Sequence, residues 1–225
     1  MDRRTLIATL GALAAAPAAR AQPPESAPPQ PVPLADAFIL LEPYLSMDPK
    51  DRSKWSLAYC ALRYKLPAPE AKAIIRLENG ATRPLMLGPD GVVTHLPTLT
   101  ELDSQAELEI DGPPFQFELE VRATIPLTAH IAAPAIVAAL AQASAGLTTL
   151  TAQPTSLTCA YFPDGGAGFV ALGAGRALPL PSFNFKSVGA TSYFEPAATP
   201  GATEVTLAKA PSRVILARPP PTQAA

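Results

Sequence analysis

The sequence has few of the residues from which catalytic and metal sites are built. Its 225 residues include 2 histidines and 2 cysteines, and charged residues make up 16% of the chain. His95 and His130 lie far apart, and neither has another ligand at the short spacing typical of zinc sites. The Gly-x-Ser-x-Gly motif of many hydrolases is also missing from the sequence. We therefore predict no catalytic residue, no metal site and no enzyme activity.

An excess of basic residues is missing too. The 17 lysines and arginines are outnumbered by 19 aspartates and glutamates, and the formal net charge is -2 at pH 7. Proteins that bind nucleic acid or anionic membranes usually carry a basic patch, so we predict neither partner. Gly173 and Gly175 begin the spacing of a dinucleotide loop, but Leu178 stands where the third glycine is needed. No cofactor is predicted.

Residues 1–21 have the pattern of a removable export signal. Arg3 and Arg4 precede an uncharged apolar stretch at 6–18, and residues 19–21 form the small-any-small pattern that signal peptidase cleaves. The apolar stretch is shorter than the roughly 20 residues needed to cross a bilayer. The paired arginines also resemble a twin-arginine signal. We predict a periplasmic or secreted protein without stable membrane insertion; the alternative is a buried N-terminal helix.

Proline is abundant, with 28 residues, and it marks the ends of the mature chain. Residues 22–33 contain six prolines, which favour extended backbone, and we interpret them as a spacer. Residues 218–225 form a second proline-rich stretch, interpreted as a loose tail. Between them, residues 34–217 are predicted to form a globular body, because a chain that is 48% hydrophobic can bury a core.

Strand patterns dominate this body. Residues 115–125 alternate apolar and polar side chains, and residues 106–111 do the same, with Gly112-Pro113-Pro114 between them. We interpret these two stretches as one antiparallel pair. Asn79-Gly80 and Pro89-Asp90-Gly91 predict two further turns.

One stretch predicts a substantial helix. Pro134 suits a first helical turn and Gly146 suits a helix end, which places the helix at about 134–145. The predicted fold is therefore mainly β, an antiparallel β-sandwich with one inserted α-helix. The alternative is a split into two β subdomains near 128–134. For residues 38–41, a strand and a short helix are both open.

Acidic residues crowd the region before and within the predicted pair. If the two strands paired, their carboxylates would lie side by side and would need a staggered register, a cation or a basic partner. A calcium site is one interpretation, although the spaced acidic loop motif is missing; a solvated face is the other. The acidic residues are Glu101, Asp103, Glu107, Glu109, Asp111, Glu118 and Glu120.

The two cysteines, Cys60 and Cys159, are a disulfide candidate. Export into an oxidising compartment favours such a bond, and it would close a loop of about a hundred residues. Two separate buried thiols are the alternative, because free cysteine is among the most buried residue types.

Aromatic residues offer the remaining functional signal. They cluster around predicted strands, where they would form core or line a pocket for a small apolar or sugar ligand. We predict an exported, non-catalytic envelope protein that binds a ligand or another envelope protein. The alternatives are an accessory subunit that pairs through an exposed β edge and a hydrolase with scattered residues. The aromatic residues are Trp55, Tyr59, Tyr64, Tyr161, Phe162, Phe183, Phe185, Tyr193 and Phe194.

Overall fold

The computed structural model describes residues 31–185 and 189–218. The predicted signal peptide, residues 22–30 of the spacer and residues 219–225 of the tail lie outside these residues. The described part is mainly β, with antiparallel sheets and one long helix, which confirms the predicted fold class. The strands are β1 (Val32–Pro33), β2 (Trp55–Arg63), β3 (Leu66–Pro67), β4 (Lys72–Arg76), β5 (Thr82–Pro84), β6 (Glu107–Asp111), β7 (Gln116–Ala123), β8 (His130–Ala132), β9 (Cys159–Phe162), β10 (Gly168–Leu172), β11 (Ala177–Pro179), β12 (Ser182–Phe185), β13 (Gly189–Phe194), β14 (Ala202–Leu207) and β15 (Ile215–Ala217).

Three sheets are formed by these strands. The N-terminal sheet has the order β1-β6-β4-β5, the large sheet has the order β12-β13-β9-β15-β7-β2-β3, and the C-terminal sheet has the order β11-β10-β14-β8. Every paired strand runs antiparallel to its neighbour. Buried side chains from all three sheets, from Leu34 to Leu216, join in one hydrophobic cluster, the main core.

Both turns predicted from the sequence are present. Asn79-Gly80 connects β4 to β5, where Gly80 has a φ of 80° and the Asn79 side chain accepts a hydrogen bond from the Ala81 amide. In the second turn Gly91 has a φ of 77°, a left-handed conformation that glycine adopts without strain. The backbone after this turn pairs with the edge of β2 through Cys60 and Val92.

The predicted pairing of residues 106–111 with 115–125 is wrong. β6 lies between β1 and β4 in the N-terminal sheet, whereas β7 lies between β2 and β15 in the large sheet. The connection explains the difference: Pro113 and Pro114 have no backbone N–H to close a ladder, and Gly112 has a φ of 101°. The chain therefore changes sheets here instead of turning back on itself.

In the described residues, three short α-helices accompany the long one. Residues 38–41, for which the sequence left strand and helix open, form no strand: residues 38–40 are a turn between α1 (Leu34–Ala37) and α2 (Leu41–Ser46). Leu40 separates them with a φ of 66°, a conformation uncommon outside glycine. In α3, Thr98 and Glu101 form a reciprocal capping box, which satisfies free amides of the first turn. The helices are α1 (Leu34–Ala37), α2 (Leu41–Ser46), α3 (Leu99–Asp103) and α4 (Ala133–Thr151).

The long helix α4 is 19 residues and continues past the predicted end. By length and composition it would suit a membrane span, but seven of its residues are buried in the protein and it packs against the large and C-terminal sheets. Gly146 lies inside the helix rather than at its end. A Cβ atom at this position would overlap Cζ2 of Trp55 and lie 3.0 Å from Cε2, so the glycine makes room for the indole ring.

Trp55 is fully buried at the start of β2 and connects several elements. Its Nε1 donates a hydrogen bond to the Asp51 carbonyl at 3.1 Å, and its carbonyl accepts one from the Tyr44 hydroxyl at 3.2 Å. The Tyr44 ring lies edge-on to the indole, with centroids 5.0 Å apart. The indole thus holds α2, β2 and α4 together.

We expect Gly146→Ala to destabilise the protein by about 1–3 kcal/mol through overpacking against Trp55. Alanine by itself favours a helix by about 1 kcal/mol over glycine, so the sign of the effect separates packing from helix propensity. Urea unfolding measures the loss of unfolding free energy caused by Gly146→Ala, both in the natural chain and in a Trp55→Phe background. This loss should be smaller in the Trp55→Phe background, because the smaller ring leaves room for the methyl group.

Ala145→Gly, at an exposed neighbouring position of the same helix, is the matched control for propensity alone. A Gly146→Ala variant as stable as the natural chain would show that the indole does not limit this contact.

Candidate ligand-binding groove

An apolar groove lies where the N-terminal sheet and the large sheet part. Its volume is about 250 Å³, and it extends between β6 on one side and β2 and β7 on the other, with α1 at its border. The groove exists because β6 and β7 belong to different sheets, and inward side chains of both strands line the space between them. The lining residues are Val32, Asp36, Ala37, Ile39, Tyr59, Leu108, Ile110, Phe115, Gln116, Phe117 and Leu119.

Aromatic rings in mutual contact form the wall of the groove. The ring of Phe117 lies 5.3 Å from that of Phe115 and 4.9 Å from that of Phe38, which is buried beneath it. Phe38 in turn packs edge-on to Tyr59 at 5.0 Å. Edge-to-face contacts of this kind add stabilisation beyond buried area. The wall is therefore held in shape by contacts within the protein.

Tyr59 links this wall to the segment after α1. Its hydroxyl donates a hydrogen bond to the Ile39 carbonyl at 2.6 Å. Burial raises the pKa of Tyr59 well above its ordinary value, so the hydroxyl stays protonated and keeps this bond at neutral pH. Ile39 itself is 56% exposed, a high fraction for an isoleucine at the mouth of a groove.

The aromatic residues singled out in the sequence divide among several environments. Tyr59 belongs to the main core together with Trp55, Phe162 and Phe194, and it alone of these four also lines the groove. Tyr161, Phe183 and Tyr193 form a second cluster with Cys159 and Ile215. Tyr64 is 93% exposed at the β2–β3 turn, and the side chain of Phe185 lies outside what the structure describes.

Sequence reasoning missed most of the groove. The alternation at 115–125 predicts that Phe115 and Phe117 face inward, but pairing of that strand with residues 106–111 would leave no gap beside them. The signal that could have located the gap is Gly112-Pro113-Pro114, because two consecutive prolines without backbone N–H groups disfavour a tight hairpin.

The opposite face of the large sheet carries a partly buried charged cluster. Glu120 accepts hydrogen bonds from Arg122 Nε at 2.8 Å and Nη2 at 2.6 Å, and Arg213 Nε lies 3.2 Å from the same carboxylate. Arg213 Nη1 is 3.9 Å from Asp90. Glu118 lies on this face too, and burial, then the charge of Glu120, raise its pKa. The two guanidinium groups compensate the carboxylates without a metal ion.

The crowding of acidic residues is thus relieved by arginines. On β6, Glu109 forms a two-point ion pair with Arg76 of β4, with Nη2 to Oε2 at 2.8 Å. Glu101 pairs with Arg83, which together with its hydrogen bonds from Thr98 lowers its pKa to about 2. Within the described residues, no group of three or more His, Cys, Asp or Glu side chains is arranged to hold a metal ion.

The candidate Cys60–Cys159 disulfide is absent, and the alternative holds: both residues are free, buried thiols. Cys60 lies on β2 and Cys159 on β9, with β7 and β15 between them. Three strand spacings separate their backbones by about 14 Å, twice the reach of a disulfide. Burial raises the pKa of each thiol to about 11, which keeps both protonated at neutral pH.

Within the described residues, neither histidine is hydrogen-bonded to an acid on one ring nitrogen and a nucleophile on the other. His130 Nδ1 is 2.9 Å from Glu204 and 3.4 Å from the Thr206 hydroxyl, so both partners are on one ring nitrogen and the side chain is 67% exposed. His95 Nδ1 contacts the hydroxyl of its neighbour Thr94 at 3.1 Å. A triad requires a nucleophile on the nitrogen opposite the acid, and the hydrogen bonds of these two rings do not include one.

Compared with known proteins, the sequence matches no family model and no curated protein, and the fold matches no solved structure. The groove is therefore interpreted from its own geometry.

We expect both thiols to be unreactive in the native protein, since they are buried and protonated. Titration with a thiol reagent at pH 7 should label none in native protein and two after denaturation without reductant. An intact mass lower by two hydrogens, or no labelling after denaturation, would show that the bond forms.

We also expect Glu118→Gln to stabilise the protein at pH 7. The folded pKa of Glu118 is raised, so the folded state favours its protonated form and stability is lost as pH rises through that pKa. Solvent screening limits the gain to less than about 1 kcal/mol. Unfolding measured at pH 4 and pH 7 should show the gain at pH 7 only.

Glu78→Gln, in the exposed β4–β5 turn, is the matched control. An equal gain at both pH values for Glu118→Gln would contradict the role of its charge.

Proposed function

We propose that this chain is an exported envelope protein that binds a small apolar molecule in the groove and is not an enzyme. The observation that carries the proposal is the aromatic wall of Tyr59, Phe115 and Phe117, which is anchored in the main core and also lines an open groove. Ligand sites are typically concave, mostly apolar and largely preformed. The groove has each of these properties.

The volume of the groove restricts the ligand. At about 250 Å³ it is slightly below the roughly 300–1,000 Å³ of drug-sized pockets. A single short alkyl chain or one small ring system fits such a space better than a sugar, because a sugar would bring hydroxyl groups against walls with few polar partners. We therefore favour the apolar class of ligand over the sugar.

The edges of the sheets favour this proposal over pairing through an exposed strand. The edge strands β1, β3, β5, β8, β11 and β12 are two to four residues long. Short edge strands are a common means of avoiding strand addition. A partner strand would gain few backbone hydrogen bonds at any of them.

Titration calorimetry of the mature protein with n-octanol tests the proposal. We expect saturable binding with one site per chain. Ala37→Trp should weaken it about ten-fold or more, because Ala37 lines the groove and an indole would fill it. Ala35→Trp, on the same helix but outside the lining, is the matched control and should bind as the natural chain does.

Three results would overturn the proposal. No saturable binding would remove the ligand site, and equal binding by the Ala37→Trp variant would place the site elsewhere. A gain in affinity on deletion of residues 22–30 would assign the groove to the protein's own proline-rich spacer, which enters the described fold beside the lining residue Val32.

A further inference from the structure

One charged side chain lines the otherwise apolar groove. Of its eleven lining residues, Asp36 alone carries a formal charge, and Gln116 adds a neutral amide. Asp36 lies in α1 and is exposed, so its carboxylate is at the solvent side of the groove. The groove thus combines an apolar interior with a single negative charge at its border.

This carboxylate has no cationic partner within the described chain. The ion pairs there join lysine, arginine or histidine to other acids, and none includes Asp36. Several other acids are matched closely: Glu101 by Arg83, Glu109 by Arg76 and Glu120 by Arg122. The charge of Asp36 is therefore free to act on a molecule in the groove.

We propose that the groove selects a small cationic amphiphile, an organic ammonium whose apolar body contacts Phe115 and Phe117 while its charged head lies beside Asp36. This inference rests on the proposed function and names its ligand class. An apolar ligand with an anionic head would be placed against a like charge with no guanidinium or ammonium group in the lining to compensate it. A neutral ligand would gain only the apolar contacts.

The position of Asp36 at the border lets this ion pair form with little loss of hydration. A charge buried among the aromatic rings would lose its hydration, and the ion pair would have to repay that loss. At the solvent side, both the carboxylate and the ammonium keep most of their water. The expected gain is correspondingly modest, about two- to five-fold in affinity, as for exposed ion pairs.

Three ligands with the same alkyl chain separate the head group from the body. Calorimetric titration at pH 7 and low salt with n-octylamine, n-octanol and n-octanoate should rank the ammonium tightest and the carboxylate weakest. High salt should reduce the difference, because it screens exposed charges. Asp36→Asn should bring the affinities for the three ligands together, because n-octylamine loses affinity and n-octanoate gains affinity relative to n-octanol.

Asp51→Asn, which removes an exposed carboxylate outside the groove lining, is the matched control and should preserve the ranking. Binding of n-octanol together with equal affinity for n-octylamine, or a preference that survives Asp36→Asn, would overturn this inference and leave the apolar site in place. Failure of all three ligands to bind would overturn the proposed function itself.

Discussion

The contact between Trp55 and Gly146 is the constraint on which the rest of the fold depends. An indole ring with no exposed surface lies against the backbone of α4, and the missing side chain at position 146 sets how closely helix and large sheet approach. The same indole is hydrogen-bonded at Asp51 and contacts Tyr44, so the position of α2 follows from it. Because α1 is joined to α2 by the short turn at 38–40 and borders the groove, the position of this border depends on the same contact.

The ion pairs contribute little to the stability of this fold, with one partly buried cluster as the exception. Most ion pairs of the described chain are partly exposed, and such pairs contribute little free energy. The charged cluster around Glu120 is an exception in burial: the side chains of Glu120 and Arg213 are 10% and 11% exposed. Loss of one partner there would leave a buried charge uncompensated, which costs more than the pair contributes. Substitutions of Glu120 or Arg213, on the face of the large sheet opposite the groove, should therefore destabilise the protein.

The sequence predicted the class of the fold but not the assembly of its parts. Period-two alternation identified β6 and β7, and Asn79-Gly80 identified the turn between β4 and β5, because both signals are local. Sheet membership depends on contacts distant in sequence, which alternation does not encode. Gly146 shows the same limit: a glycine near the end of an apolar stretch suggests a helix end, and only the position of Trp55, some ninety residues earlier in the chain, reveals its packing role.

The groove and the failed hairpin prediction have one cause. The chain leaves the N-terminal sheet at Asp111 and enters the large sheet at Gln116. The inward side chains on either side of Gly112-Pro113-Pro114 therefore belong to two different sheets. Ile110 and Phe117 then line a wedge between two diverging sheets. Phe38 is buried and packs against Phe117, whereas the groove stays open beside α1. Because α1 brings Asp36 to that border, the divergence that creates an apolar site also places a negative charge at its mouth.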